Sequence, residues 1–540
     1  MEKDLSRRGF LKGAAVSVAA IGLAGCSPKV VNTANESEAG VIGSNSGEAC
    51  VSDFSSFFTA SAAEQEEIKN STDGGEYDII VIGAGASGVP CAVKAYQEGA
   101  KVLVLQKEAT VVSQGGNCNG IEADTSDPSA ILNFIQETTK QCTYRNDREQ
   151  TKVFAYNSGE AVHWYYDEAV GSGYNIGVRE WGVDYGEDFG QLKTIWVVTS
   201  KPDNTSTSMK SIMAAYEDKI DVRYNTPAVQ LIKEGNKVTG VYAKDIDGAY
   251  YKFNATKGVV IATGDYQNND AMVAKYCPDV LDFEKKQFNK TGDGQLLGMM
   301  IGAEMEPLGH TKMIHDFDSG PMFDERFLRV DMYGKRFSNE DMDLSVVNNY
   351  LRNYGPEMAG KYCQIFDGNY VEQVTSWGGR PTDEEALLMY MPDVEMEDRK
   401  GVLVDRIDTH KADTLDELAT ILQIPADELK ATVKRYNELV DKGWDADFGK
   451  KFKYMKKIEK APFYGIRKNL RVSALCSGIV INENFEVLDS ERKPIEQLYA
   501  IGNVSGAFYG SPDYPLNLPG LSLGRCVTSG YVLGKTLAAK

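Results

Sequence analysis

The sequence predicts an α/β protein: a Rossmann-like domain interrupted by an inserted α+β cap domain. Two observations predict it. One is a strand, glycine turn, helix and second strand over 78–108; the other is the return of glycine-ended apolar strands near the C-terminus, beyond a long module of amphipathic helices. With 540 residues, 42% hydrophobic and 25% charged, the chain is long enough for two or three cores. Its net charge of −20 argues against nucleic acid and anionic lipid as partners, since both need clustered Lys and Arg.

The first 26 residues read as an address. Paired Arg7 and Arg8 precede the mildly apolar run 13–25, which is too short to span a bilayer, and Leu23-Ala24-Gly25-Cys26 resembles a lipoprotein cleavage box. The expectation is export by the twin-arginine route and lipid attachment through Cys26, anchoring the protein on the outer face of the cytoplasmic membrane. The alternative is that these small residues only end a signal peptide. Residues 27–75, rich in Ser, Asn, Glu, Gly and Ala without periodicity, read as a disordered tether.

The segment 76–305 carries the first part of the nucleotide-binding domain. The near-continuous apolar strands 78–82 and 102–105 imply a parallel sheet covered on both faces. Between them, Gly83, Gly85 and Gly88 follow the strand and open a helix. This spacing allows a tight turn, a close approach of backbone to a pyrophosphate, and packing of helix on sheet; Ala86 and Ser87 lie at the helix N-terminus, where free N–H groups favour phosphate. Gln106 stands where an acid usually accepts the ribose hydroxyls, so altered ribose contacts are expected. A glycine loop at 115–120, a hairpin at 227–245, a buried strand closing on Thr263-Gly264 and a helix opening at Asp293-Gly294 follow. The cap or substrate domain is expected over 306–465, with amphipathic helices at 414–424 and 426–443. Residues 466–540 return as the second part of the nucleotide-binding domain.

Apart from Cys26 there are eight cysteines, and none stands in a C-x-x-C pair. That excludes a covalent haem motif and a zinc ribbon but leaves open an iron–sulfur cluster built from distant cysteines.

Together these blocks resemble the fumarate reductase and succinate dehydrogenase flavoprotein family, near its single-chain branch of urocanate reductase and 3-ketosteroid dehydrogenases, over about residues 75–540. The resemblance implies an FAD cofactor. Gly83, Gly85 and Gly88 would hold its pyrophosphate, with Gln106 and Lys107 at the ribose and Ala228 at the adenine. Gly115, Gly116 and Asn117 would pass near the isoalloxazine, Thr263, Gly264, Asp293 and Gly294 would close round the cofactor, and Ser522 and Leu523 would lie at the pyrimidine edge. Asn503 replaces the family's usual acid in its turn.

The same resemblance implies hydride addition to a polarised C=C, but the family's dicarboxylate machinery is missing. Counting from Gly334 of the G-K-R-F turn, the positions of the Arg-Asp acid are Asp343 and Leu344. The second clamp arginine falls in Asn517-Leu518-Pro519-Gly520, and a family histidine falls at about Ser473-Ala474. A dianion would lie unpaired there, so the expected substrate is neutral or nearly so, and larger. What the resemblance implies more specifically is an activated enone or α,β-unsaturated lactone, such as the lactone ring of a cardiac glycoside like digoxin. The candidate catalytic residues are Tyr333 beside Gly334, Tyr514 in a Tyr-Pro step, His310 and Arg336. Each tyrosine has the alternative of being an aromatic that only packs, His310 and His315 of being structural, and Arg336 of being an ion-pair partner of Glu340. The chain has no haem motif, so a separate membrane-anchored haem protein is the expected electron donor. A 3-ketosteroid dehydrogenase running the reverse oxidation, a fumarate- or urocanate-type reductase, and a non-catalytic flavin electron carrier are the alternatives.

Overall fold

The computed structural model describes residues 61–199, 205–307, 309–315, 321, 326–342, 349–352, 354–397, 399, 402 and 407–540. The signal segment and Cys26 lie outside the described residues, as do Asp343 and Leu344. Among the described residues no helix is long and apolar enough to cross a membrane.

The described residues begin inside the stretch expected as a tether, and they are folded there. Helix α1 (Ala62–Lys69) starts at a capping box in which Ser61 and Glu64 exchange side-chain and backbone hydrogen bonds. Strand β1 (Thr72–Ile82) begins at once after it, pairing with Tyr251 and Lys252. The S-x-x-E spacing was visible in the sequence, but the polar composition around it masked it.

From β1 the chain turns into helix α2 (Gly88–Gln97) and strand β2 (Val102–Leu105). Ile79 to Ile82 are buried on both faces because β1 lies between two parallel neighbours, β2 and a later strand. A side sheet follows: β3 (Asn117–Ile121), β4 (Gly177–Asp184) and β5 (Gln191–Val198), in the order β3-β5-β4. Strands β6 (Asp221–Arg223), β7 (Ala228–Glu234), β8 (Lys237–Lys244) and β9 (Tyr250–Ile261) return to the main sheet, with β7 and β8 forming the expected hairpin. Helix α3 (Asp293–Met300) follows.

Strand β10 (Lys312–His315) leads into the cap, whose antiparallel sheet runs β11 (Leu328–Val330), β12 (Lys361–Asp367), β14 (Phe463–Asn469) and β13 (Thr409–Ala412) in that order. Helices α4 (Leu415–Leu422) and α5 (Ala426–Lys442) bury Leu418, Leu422, Leu429, Val433 and Leu439 against it, the amphipathic stripe expected from their spacing. The cap sheet thus closes at Asn469, beyond the boundary drawn at 465. Strand β15 (Arg471–Leu475) pairs with β10, so residues 312–315 belong to the wall beneath the cap. Strands β16 (Glu486–Leu488) and β17 (Pro494–Ala500) complete the main sheet, in the order β16-β17-β8-β9-β1-β2-β6, and helix α6 (Leu521–Ala538) packs on α2.

Candidate functional site

The C-terminal ends of β1, β2 and β9 open into a cavity of about 1860 Å³. Ordinary small-molecule pockets measure roughly 300–1,000 Å³, so this one has room for a dinucleotide and a second molecule. Its walls are built in two halves.

The first half is the glycine turn and its neighbours. Gly83 has φ +107°, and a Cβ there would meet Ala262 O at 2.6 Å; a Cβ on Gly88 would meet Gly83 O at 1.9 Å, so only glycine lets helix and turn close. Gly85 is different, for its Cβ would touch only Val112 O at 3.1 Å and the backbone stands open to the cavity. The Ser87 hydroxyl turns to Ile501 O at 3.4 Å instead of capping α2, so it takes none of the helix's first N–H groups. Ala86, Ser87, Gln106, Lys107, Gly115, Gly116, Asn117, Ala228, Thr263, Gly264, Asp293, Asn503, Ser522 and Leu523 all line the cavity. Gly88 and Gly294 stand behind the wall and act by packing, since a Cβ on Gly294 would lie 2.2 Å from Thr263 Oγ1.

This half fits a flavin dinucleotide on its own geometry. The turn is open, and the buried Thr263 hydroxyl has no protein partner. Lys107 is held by Asp293 at 2.7 Å and Thr291 at 2.9 Å. Gln106, the residue expected to alter the ribose contacts, lines the cavity with its amide engaged within the protein. Its Nε2 donates to Thr110 O at 2.8 Å and its Oε1 accepts from Ala84 N–H at 3.4 Å, so the amide braces two loops.

The family model described as FAD binding domain matches residues 78–512. The chain belongs to that family. It is 26% identical over 500 residues to a vinyl phenol reductase of Lactiplantibacillus plantarum, covering 86% of this chain and 96% of that protein. It is 25% identical over 586 residues to a 3-oxosteroid 1-dehydrogenase of Mycolicibacterium smegmatis, covering 86% and 98%. Its fold is similar to the open conformation of a flavocytochrome c3 fumarate reductase, with a TM-score of 0.66 and 22% identity over 89% of this chain and 81% of that one. The protein is an FAD-dependent oxidoreductase acting on carbon–carbon bonds.

The second half of the cavity lies past the flavin-binding loops. Strands β10 and β15 supply Lys312, Met313, Ile314, Ser473 and Ala474, with Met313 opposite Ala474 in register. Tyr514, Leu516, Leu518, Pro519 and Gly520 come from the loop before α6. Gln114 bridges the two halves, donating to Ser473 O at 2.8 Å. Lys312 is almost fully buried and its ammonium is tied to Asp279 at 3.0 Å. Among the described residues lining the cavity the sole arginine is Arg179, exposed on β4. The Tyr514 phenol oxygen accepts the Ser522 N–H at 2.8 Å, and burial raises its pKa well above that of an ordinary tyrosine.

Three of the four candidate catalytic residues lie elsewhere. His310 is buried behind the wall, stacked on Tyr276 at 4.6 Å between ring centroids. Its Nδ1 meets the Tyr266 hydroxyl at 2.5 Å and its Nε2 meets Glu306 O at 2.9 Å. Burial lowers its pKa to about 4, so it is a neutral structural histidine. Arg336 is a cap strut: it forms paired hydrogen bonds of 2.8–3.0 Å to both Glu340 and Asp445, between the rings of Tyr436 and Phe448. Tyr333 is 50% exposed, in a turn where Asp331 accepts the N–H groups of Tyr333 and Lys335, and it does not line the cavity. His315 ends β10.

The cysteines Cys91, Cys118, Cys142, Cys277, Cys363, Cys476 and Cys526 are buried and free. Among the described residues no three His, Cys, Asp or Glu gather as a metal would need. Sequence reasoning missed Gln114, Met313 and Ile314. Gln114 lies in the irregular loop before β3, and the strand that carries Met313 and Ile314 is only four residues long, so neither has a periodicity that could have marked it as a wall.

Proposed function

We propose that the protein reduces the activated C=C of a neutral enone or α,β-unsaturated lactone, with the lactone ring of a cardenolide such as digoxin as the best candidate. The observation that carries this reading is the wall formed by Met313, Ile314, Leu516 and Leu518 around an oriented phenol, Tyr514. Two carboxylates would find no arginine pair there, and Lys312 is already neutralised by Asp279.

Held by the glycine turn and its neighbouring loops and reduced by an external electron donor, the flavin would supply the hydride. The chain supplies the electrostatics: as hydride reaches the β carbon, negative charge moves to the carbonyl oxygen, where the Tyr514 O–H can donate. The Ser522 N–H occupies a lone pair of the phenol oxygen, which leaves the hydroxyl proton for the substrate. The raised pKa keeps that proton on the oxygen, so Tyr514 acts as a hydrogen-bond donor that polarises the carbonyl. The apolar side chains shield the reacting carbons during hydride transfer, and the enolate that results takes its α-carbon proton from solvent.

The reductant in this reading is a separate membrane-anchored haem protein, reached by export through the twin-arginine route and a lipid on Cys26. A second reading is the reverse oxidation of a 3-ketosteroid, favoured by the same tyrosine and by the 3-oxosteroid 1-dehydrogenase relative.

Anaerobic reoxidation of the photoreduced enzyme tests both readings, using fumarate, urocanate, enones and cardenolides as oxidants. Fastest turnover with the lactones or enones is expected. Fastest turnover with fumarate would sink the neutral-substrate reading, and turnover only with a 3-ketosteroid and a dye acceptor would replace it with the second.

A further inference from the structure

FAD carries two negative charges on its diphosphate, yet the turn from Gly83 to Gly88 contains no charged side chain. The N-terminus of α2 offers only about half an elementary charge. A neighbouring lysine is placed to supply the rest. A Cβ on Gly83 would lie 3.1 Å from Thr263 Cα, and one on the next residue, Gly264, would lie 3.9 Å from Lys290 Nζ. Lys290 therefore stands one strand over from the phosphate turn, and it lines the same cavity.

Among the described residues its ammonium forms no direct ion pair. Lys107 and Lys312, on the same walls, are each paired with an aspartate, at 2.7 and 3.0 Å. Among the described residues Lys290 has no such pair, and the carboxylates that act on it electrostatically are engaged elsewhere. Asp265 accepts N–H groups from Gln267 and Leu475 at 3.0 and 3.1 Å, Glu108 takes the Asn289 amide, and Asp293 takes Lys107. Lys290 is partly buried, and that burial lowers its pKa below the usual lysine value. Its backbone is fixed on both sides, donating to Asn268 Oδ1 and accepting from Asn268 N–H, each at 2.9 Å. A fixed, partly buried cation with no carboxylate in direct contact among the described residues, facing a cavity that takes a dianionic cofactor, is a site awaiting its anion.

We propose that the Lys290 ammonium is the counter-charge of the FAD diphosphate, a cofactor contact supplied by the segment before Asp293 rather than by the glycine turn. This concerns how the cofactor is held and does not depend on which substrate is reduced.

Holoenzyme carrying Lys290→Met or Lys290→Arg tests it. FAD release at equilibrium is followed by recovery of flavin fluorescence on dilution, at low and high salt, with ADP as a competitor that has the diphosphate and no flavin ring. The midpoint potential of the bound flavin is measured in parallel. Lys290→Met is expected to weaken FAD by about ten- to a hundredfold. ADP should weaken by the same factor, the salt dependence should flatten, and the potential should stay where it was, while Lys290→Arg keeps near-native affinity. The proposal is overturned if Lys290→Met binds FAD and ADP as the parent does. It is equally overturned if FAD weakens without ADP while the potential shifts, because the ammonium then serves the flavin ring, or if Lys290→Arg fails as badly as Lys290→Met, because the role is then structural.

Discussion

The backbone N–H of Ser522, at the head of the last helix, donates to the phenol oxygen of Tyr514 at 2.8 Å. The bond ties the group proposed to polarise the substrate to the segment lining the flavin site. Replacing Tyr514 by Phe removes the hydroxyl while keeping the ring in its cluster with Tyr509 and Phe508. Turnover of an unsaturated lactone or enone should fall by about a hundred- to a thousandfold, with flavin content and melting temperature retained. Rapid-reaction reoxidation of the reduced flavin measures it.

Restoring the acid that nucleotide-binding folds usually carry at the end of the second strand should not help this protein. Gln106 gives its N–H to Thr110 O, and a glutamate there would set a carboxylate against a carbonyl. Gln106→Glu should cost about 1–3 kcal/mol of stability, read by thermal unfolding, and leave FAD no tighter in a dilution assay.

Arg336 holds two buried carboxylates, Glu340 and Asp445, while Lys450 reaches Glu340 at 3.3 Å. Arg336→Met should destabilise the protein by about 3–5 kcal/mol, because it leaves buried charge short of a partner. Burial opposes the charge on Asp445, but the Arg336 guanidinium prevails and holds its pKa at about 2, against 3.8 for the free side chain. A depressed carboxylate pKa gives stability that is present above the unfolded value and lost as pH falls. Acid unfolding should therefore show a component between about pH 4 and pH 2 that disappears in Asp445→Asn.

His310 titrates in a different window. Burial lowers its pKa from 6.5 to about 4, so the unfolded chain takes up the proton first. Its contribution is complete above pH 6.5 and declines as pH falls towards 4. His310→Gln should flatten the fall of melting temperature across that range and leave turnover at neutral pH unchanged. A loss of turnover at constant stability would return His310 to the mechanism.

The cofactor half of the site was legible in the sequence because phosphate chemistry constrains the backbone itself. Gly83, Gly85 and Gly88 are required by a turn, an approach and a packing contact, and each requirement maps to one position. The substrate half was not legible in the same way. Arg336 meets Asp445 across more than a hundred residues, so nothing near the G-K-R-F turn reveals that its guanidinium is already committed. His310 lies only two residues before β10, yet Lys312, Met313 and Ile314 line the cavity while the imidazole is buried behind it. A four-residue strand carries too little pattern to tell front from back. Tyr514 was found through a Tyr-Pro step, a local signal that survives without knowledge of the fold.

One residue, Leu470, separates the last strand of the cap sheet from the strand that walls the substrate half of the cavity. Leu470 is fully buried and its N–H is fixed to Gly360 O at 2.8 Å. The cap sheet is therefore continuous with the wall of the cavity, and a displacement of Phe463–Asn469 would be passed through a fixed, buried link to Ser473 and Ala474.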